Sequence, residues 1–441
     1  MNKCYKLRIY PNKTQIDIIN GTLGCCNWIK NKYLEKNITL RELGKPFISG
    51  YEFSKFINEL KKHNPKYYWI KKYSSKAIKD AIMSKEKAYK RFFKTKQGFP
   101  KFKSRKRLNK ESYFFIKDNV KYVSNNIIKL PILGKVRITE SSYLPDKELI
   151  TSGRIIREYN KYYVMFIIKS TNEYIPLTNV ELGIDVGIKN YATIASKNDN
   201  WYVKHFKDYK KYKTYEERII KLQQIISKKA EVNYTKALNL WMDNHPNQEL
   251  TEKQKNIMKG ESYNSSRIRG LRRKMNGLNR KQRNIRNDFI NKLVYSLTVR
   301  TKPSRITIEN LDISEMIQHD GTKNQSLHKY IQESSFYSFK QKLINKCNYY
   351  GITLRIANKY FASSKTCYNC GNKKKDLTLN DRVYKCECCG IEIDRDLNAA
   401  INLLYLKDSK VTILNAWGYA GLKTLKWRWR ISTYKYLFNS R

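Results

Sequence analysis

Two Cys-x2-Cys pairs, Cys367/Cys370 and Cys386/Cys389, stand fifteen residues apart and constrain this chain more tightly than any other feature. Each pair fits a knuckle, and two knuckles can close a tetrahedron of thiolates around one Zn2+. Gly371 and Gly390 follow the second cysteine of each pair, where a knuckle needs a permissive backbone. Four thiolates leave no open coordination position, so the expected zinc is structural and silent about catalysis. Cys388 is surplus to the set. Cys25 and Cys26 have no companion at knuckle spacing and read as core residues.

Charge sets the second constraint. Lys and Arg number 89 against 38 Asp and Glu, a formal +51 at pH 7. A compact protein so charged repels itself unless a polyanion neutralises it, which points to a nucleic acid partner. The 34 tyrosines add flat rings suited to stacking on unpaired bases. With 41% hydrophobic residues the chain can build packed cores, unlike a disordered polycation. Nothing in the sequence resembles a signal peptide or a membrane span. The expectation is therefore a cytoplasmic protein with no membrane partner, whose cysteines are ligands or buried thiols rather than disulfides.

The pattern of apolar residues divides the chain. Tyr5 to Tyr10 alternates and meets Pro11, which reads as an edge strand. Ile16, Ile19, Leu23 and Cys26 predict an early helix, and Ile78, Ile82, Ala88 and Phe92 a later one. Strands return from Ser112 to about Ile168, with a hairpin turning at Asn160. This predicts a β-barrel over 1–13 and 94–175, interrupted by a helical insertion over 14–93. From Glu181 the style changes to strand, turn and strand. A basic helical region follows from about Tyr209 to Arg300, then strands at RITIENL and GITLRIA with a helix around 330–349 between them. The expected class is α+β multidomain, the second part being an α/β ribonuclease-H-like domain over 176–361 and 391–441. The zinc ribbon, 362–390, is inserted into it.

Three acids sit at element ends. Asp185 closes the strand ELGID, Glu309 closes ITIE, and Asp396 opens a helix with the stripe Leu397, Ala400, Ile401 and Leu404. Three such carboxylates can hold two Mg2+ for in-line phosphodiester hydrolysis. A helix N-terminus helps keep Asp396 ionised. Asp394 competes for the third position; Asp396 is preferred because it directly precedes the LNAA helix. Asp312 and Glu315 read as surface acids. The order of an Asp strand, a Glu strand and an Asp helix matches a RuvC-type active site.

The segments GIDVGIKNYAT, ITIENLDI and C-x2-C-G followed by C-x2-C-G-x4-RDLNAAINLL resemble the three RuvC motifs and inserted ribbon of the transposon-encoded TnpB nucleases. They resemble equally the compact type V-F CRISPR effectors. KCYKLRIYPNKTQ, GCCNWIKNKYL, RNDFINKLVYSLT, SSFYSFKQKL and FASSKTC extend the likeness over most of the chain. The resemblance implies an RNA-guided DNA endonuclease with catalytic acids Asp185, Glu309 and Asp396, one structural Zn2+ and two catalytic Mg2+. It implies a guide RNA and a double-stranded target DNA with a short flanking motif as partners, bound by a monomer or by an asymmetric homodimer on one RNA. Guide pairing would then read the sequence while the protein reads shape and backbone. An apparent insertion over Lys229–Ser266 and the basic, aromatic end LKWRWRISTYKYLFNSR depart from the family pattern.

Candidate nucleic-acid contacts are Ser75, Lys76 and Lys79 for the flanking motif, then Lys101, Lys103 and Arg105 in a basic linker. Arg280, Arg283 and Arg286 lie largely off the apolar stripe of a helix. A guided repressor without cleavage is the alternative reading, opposed by the three intact acids. A zinc-ribbon factor or a resolvase explains less of the sequence.

Overall fold

The structure, a computed structural model, describes residues 2–95, 98–104, 110–117, 120–124, 126–139, 149–187, 189–246, 248–310, 331, 333–358, 361–374, 376–377 and 381–414. Arg105, Asp312, Glu315 and the basic end of the chain lie outside them. The chain forms two compact units, Met1–Thr171 and Asn172–Arg441.

The first unit runs β1 (Asn2–Tyr10), α1 (Lys13–Glu42), α2 (Gly50–His63), α3 (Ser75–Thr95), β2 (Lys110–Ile116), β3 (Lys121–Ser124), β4 (Ile127–Leu130), β5 (Gly134–Ile138), β6 (Ile150–Glu158) and β7 (Lys161–Lys169). Its sheet has the order β2-β6-β7-β1-β5-β4-β3, with antiparallel neighbours throughout. β1 is therefore an interior strand, not the edge strand its sequence suggests. Pro11 falls just past its last residue, so the missing N–H costs no ladder bond.

Directly after that proline, Asn12 and Gln15 form a reciprocal cap. The Asn12 side chain accepts from the Gln15 N–H at 2.9 Å, and the Gln15 side chain accepts from the Asn12 N–H at 3.0 Å. The Gln15 amide also donates to the carbonyls of Leu133 and Lys135, which ties the start of α1 to β5. Ile19, Leu23 and Cys26 of α1 and Ile78 and Ile82 of α3 then pack with Leu7 and Ile9 of β1 and Phe166 of β7 in one core.

The second unit runs β8 (Thr178–Asp185), β9 (Asn190–Ala195), β10 (Asn200–Lys204), α4 (Lys210–Asn244), α5 (Glu252–Ser262), α6 (Ser266–Tyr295), β11 (Pro303–Ile308), α7 (Phe336–Tyr350), β12 (Thr353–Ala357), β13 (Val383–Lys385), β14 (Glu392–Asp394), α8 (Arg395–Leu404) and β15 (Val411–Leu414). The long basic region thus resolves into three helices. Six strands form a sheet of order β10-β9-β8-β11-β12-β15. β8, β11 and β12 are parallel, while β9, β10 and β15 run antiparallel to their neighbours. No described helix is long and apolar enough to cross a membrane.

Strand alternation assigns the two faces of this sheet. Leu182 and Ile184 of β8 and Ile306 and Ile308 of β11 bury against Phe289 and Leu293 of α6 and Phe336, Phe339 and Leu343 of α7. The intervening residues point to the opposite face, where α8 lies. There Gly183 makes the seat. A methyl group on it would stand 2.1 Å from the Ala400 carbonyl oxygen and 2.4 Å from the Leu404 nitrogen. Backbone against backbone cannot yield that much, so α8 reaches its position because residue 183 has no side chain. Two arginines on the same face meet the carboxyl end of the helix. Arg305 pairs with Glu181 at 2.6 Å and reaches the Leu404 carbonyl at 3.5 Å. Arg355, only 2% exposed, donates to the Leu406 carbonyl and pairs with Asp408 at 2.8 Å. Cations at a helix C-terminus oppose its dipole and fix its direction.

Replacing Gly183 with Ala is expected to destabilise the second unit by about 1–3 kcal/mol, the usual range for overpacking. Thermal unfolding of the two proteins side by side checks this, and an unchanged midpoint contradicts the close seat of α8.

Candidate active site and metal centre

Asp185 has the same parity along β8 as Gly183, so it shares the α8 face. In the parallel ladder Ile308 stands opposite Ile184, so Glu309, the next residue, comes alongside Asp185. Its parity matches Thr307, again on the α8 face. Glu309 lies one residue past the last paired position of β11 rather than within the strand. The third acid arrives from the helix. Asp396 is in the first turn of α8, with its Oδ2 near Gly187 in the turn after β8, where an added Cβ would lie 3.8 Å away. A seat on the second half of the helix and an acid at the helix start therefore bring Asp396 over the end of β8.

The electrostatics agree with this convergence. Burial first, then the charges of Glu309 and Asp396, push the Asp185 carboxyl well above its ordinary value, with Arg395 partly opposing them. Burial also raises the Glu309 carboxyl. Arg395 lies 3.6 Å from the Asp396 carboxylate. Asp394 plays a different part. Its Oδ1 accepts from the N–H groups of Asp396 and Leu397, both at 3.0 Å, making it the N-cap of α8. The competitor for the third position is thus occupied in holding the helix start.

Sequence reasoning missed Tyr202, Arg395 and Gly183. Tyr202 stands on β10 in the field of Asp394 and Asp396, and burial followed by those two charges raises its hydroxyl. The strand that carries it, NWYVK, was legible only as a short alternation. Arg395 was hidden inside the motif that supplied Asp396. Gly183 looked like an ordinary strand residue.

The four cysteines converge as expected. Their Sγ atoms all lie within 4.8 Å of one another, and the pairs Cys367–Cys389 and Cys370–Cys386 are 3.7 and 3.5 Å apart. Zinc–sulfur bonds of about 2.3 Å in a tetrahedron require sulfur separations of roughly 3.8 Å, so the donor set fits. Among the described residues it is the one group of three or more Cys, His, Asp or Glu side chains close enough to share a single ion. Both knuckles have the same build. Gly371 donates to the Cys367 carbonyl and Gly390 to the Cys386 carbonyl, each at 3.0 Å, and both glycines have the positive φ that the turn demands. The four thiols act on one another: backbone N–H groups, that of Cys389 first, lower the Cys386 thiol, while burial raises that of Cys367. Cys388 is exposed and outside the set, and Cys25 and Cys26 are buried in the first core.

The candidate contacts are divided. Ser75, Lys76 and Lys79 are exposed along the first turns of α3. Lys101 and Lys103 are exposed on a strand-free segment whose backbone Asn27 and Asn31 of α1 hold at the Lys103 carbonyl. Arg280 lines a cleft of about 450 Å3 between α4 and α6, together with Arg218, Lys221, Lys274 and Lys281 and with no acid in its wall. Arg286 turns inward instead, donating to the Glu333 carbonyl at 2.7 Å. Arg283 is half-buried on the same helix.

Known proteins match at both ends of this architecture. A Cas12f1-like TNB domain model matches residues 336–403, from α7 through the cysteines into α8, and a helix-turn-helix domain model matches residues 1–45. A Streptomyces pristinaespiralis protein named as a candidate RNA-guided DNA endonuclease is 24% identical over 405 residues, 92% of this chain and 89% of its own length. InsQ of Escherichia coli K12, named likewise, is 23% identical over 91% of each chain. The CRISPR-associated endodeoxyribonuclease Cas12f1 of Sulfoacidibacillus thermotolerans is 33% identical over 76 residues, 17% of this chain and 18% of its own. The chain is thus similar, over most of its length, to TnpB-type RNA-guided endonucleases and, around its cysteines, to the compact type V-F CRISPR effectors.

Proposed function

We propose that this chain is an RNA-guided DNA endonuclease that cuts target DNA by metal-dependent phosphodiester hydrolysis, in either a CRISPR or a transposon setting. The names of its long relatives support the reading, and so does the approach of Asp185, Glu309 and Asp396 at one end of a sheet, near enough for the other two charges to raise the Asp185 carboxyl though not near enough for all three to share a single ion as they stand. That approach is the observation that carries it. Three carboxylates that repel one another at the end of buried strands are costly unless cations offset them.

In this reading the second unit is a ribonuclease-H-like nuclease of the RuvC type, 176–361 and 391–441, with a zinc ribbon over 362–390. The first is a barrel-type sheet, 1–13 and 94–175, with the helices of 14–93 as a recognition insertion. Cys367, Cys370, Cys386 and Cys389 hold one structural Zn2+. Asp185, Glu309 and Asp396 would hold two Mg2+, which would supply Lewis-acid stabilisation of the attacking and leaving oxygens. The chain's own residues do the rest. Asp185, which feels the charges of both Glu309 and Asp396, would be the central acid of the set. Arg395 offsets the charge of Asp396, and the Asp394 cap holds the first turn of α8 so that Asp396 faces β8.

The partners are a guide RNA and a double-stranded target with a short flanking motif, in the cytoplasm, with one copy or an asymmetric pair of copies on each RNA. Ser75, Lys76 and Lys79 would meet the flanking motif. Lys101, Lys103, Arg105 and Arg283 would meet phosphates, and the cleft holding Arg280 would seat a stretch of backbone. Arg286, engaged with Glu333, would support the fold rather than the nucleic acid.

Asp185→Ala is expected to abolish cleavage of a target matched to the co-purified RNA while leaving RNA binding within about a few-fold, since the acids contribute little to phosphate affinity. Full cleavage by the variant refutes the site, and a wild-type complex that binds its target without cutting favours the repressor reading. Stability gives a second check. A carboxyl raised on folding holds its proton more tightly folded than unfolded. The metal-free stability contributed by Asp185 therefore falls as pH climbs from the ordinary value of 3.8 through the raised one. Asp185→Asn should raise the metal-free midpoint at neutral pH by roughly 2–4 °C, as about 1 kcal/mol does in a unit of this size. An unchanged midpoint means that the acids do not repel one another. Reversing Lys221 and Lys281 to Glu should weaken RNA binding and flatten its salt dependence by about two powers of salt concentration; an unaltered slope removes the cleft from the interface.

A further inference from the structure

The cysteine knuckle and α8 are joined by more than chain connectivity. Asn398 is fully buried and uses both ends of its amide on the segment entering the first knuckle. Its oxygen accepts from the Tyr368 N–H at 3.0 Å, and its nitrogen donates to the Thr366 carbonyl at 2.8 Å. One turn later on the same helix face, the Asn402 amide donates to the carbonyls of Ser363 and Thr366 at 2.9 and 2.6 Å. These bonds bracket Cys367. The second knuckle leads from Cys389 through β14 directly into the Asp394 cap, and β14 pairs with β13 just ahead of Cys386. The ribbon therefore holds α8 at two places, by covalent continuation at the helix start and by two asparagines along its flank. The opposite flank is seated on Gly183.

We infer that the zinc ribbon is a positioning device for Asp396, with Asn398 and Asn402 as positioning residues that transmit the knuckle's shape to the acid-bearing turn of α8. The physical case is one of alternatives. An asparagine in a buried helix flank satisfies its amide only if its partners stay in place, and a displaced knuckle leaves donor and acceptor unmet at a cost that favours the docked arrangement. Asp396 is two residues from Asn398, so a helix free to rotate or fray moves the carboxylate away from Asp185 and Glu309. A metal closed in by four thiolates has no chemistry of its own to offer, yet through these amides it fixes one wall of a second metal site. The inference rests on the assignment of Asp396 to the catalytic metals.

The test uses the full-length chain and Mn2+ as the probe ion, read by the loss of its free paramagnetic signal, with zinc content and amide hydrogen exchange measured alongside. Asn398→Ala and Asn402→Ala are expected to keep one zinc per chain, to lose about tenfold or more in Mn2+ affinity, as supporting-shell partners of metal sites do, and to exchange faster across Arg395–Ala399 while β8 and β11 stay protected. Cys370→Ser, which breaks the knuckle, should weaken Mn2+ binding at least as much. Should Asn398→Ala lose its zinc, the less buried Asn402→Ala decides. Wild-type Mn2+ affinity in zinc-loaded Asn402→Ala, or in zinc-free Cys370→Ser, overturns the inference and leaves the acids untouched. Wild-type Mn2+ affinity in Asp396→Asn instead overturns the acid assignment on which the inference depends.

Discussion

The close contact between α8 and β8 at Gly183 is the constraint on which the second unit turns. A helix normally rides above a sheet on a layer of side chains, and here that layer is absent at one point, so backbone meets backbone. The consequences follow from strand geometry alone. Residues two apart share a face, and so the strand that seats the second half of the helix at Gly183 also presents Asp185 beneath the helix start. Register then brings Glu309 alongside. No loop has to reach for the site. The arginines at the other end of the helix, Arg305 and Arg355, and the Asp394 cap fix which way it points, so the acid end cannot trade places with the carbonyl end.

Much of this was legible in the sequence, for identifiable reasons. The cysteine spacing announced the metal centre because knuckle geometry tolerates few alternatives. Asp185, Glu309 and Asp396 stood out as candidates because each sits where a regular pattern stops, and regular patterns have visible ends. What stayed hidden depends on three-dimensional neighbours. β1 looked like an edge strand because Pro11 follows it, and only the pairing with both β5 and β7 shows that the proline lies outside the ladder. Gly183 carries no local mark of the helix that lands on it. Asp394 and Asp396 are chemically identical in a string of letters, and only the cap bonds mark Asp394 as the one that holds the helix start.

Charge was legible in amount but not in placement. Arg280, Arg283 and Arg286 recur every three residues and look alike on a helical wheel. In the fold Arg280 opens to a basic cleft, while Arg286 is turned to the Glu333 carbonyl. A cation on a helix serves whichever acceptor its rotamer reaches, and composition is blind to that. Lys101 and Lys103 are exposed on a segment whose backbone two asparagines of α1 hold at the Lys103 carbonyl, which composition does not show either.

The acids also arrive in a fixed order during synthesis. Asp185 and Glu309 stand at the ends of strands made before the two knuckles, while Asp396 waits for a helix that lies beyond both of them. A ribosome-bound chain can thus have its whole first unit made before the segment that carries Asp396 exists, so the three acids can come together only once both knuckles have been synthesised.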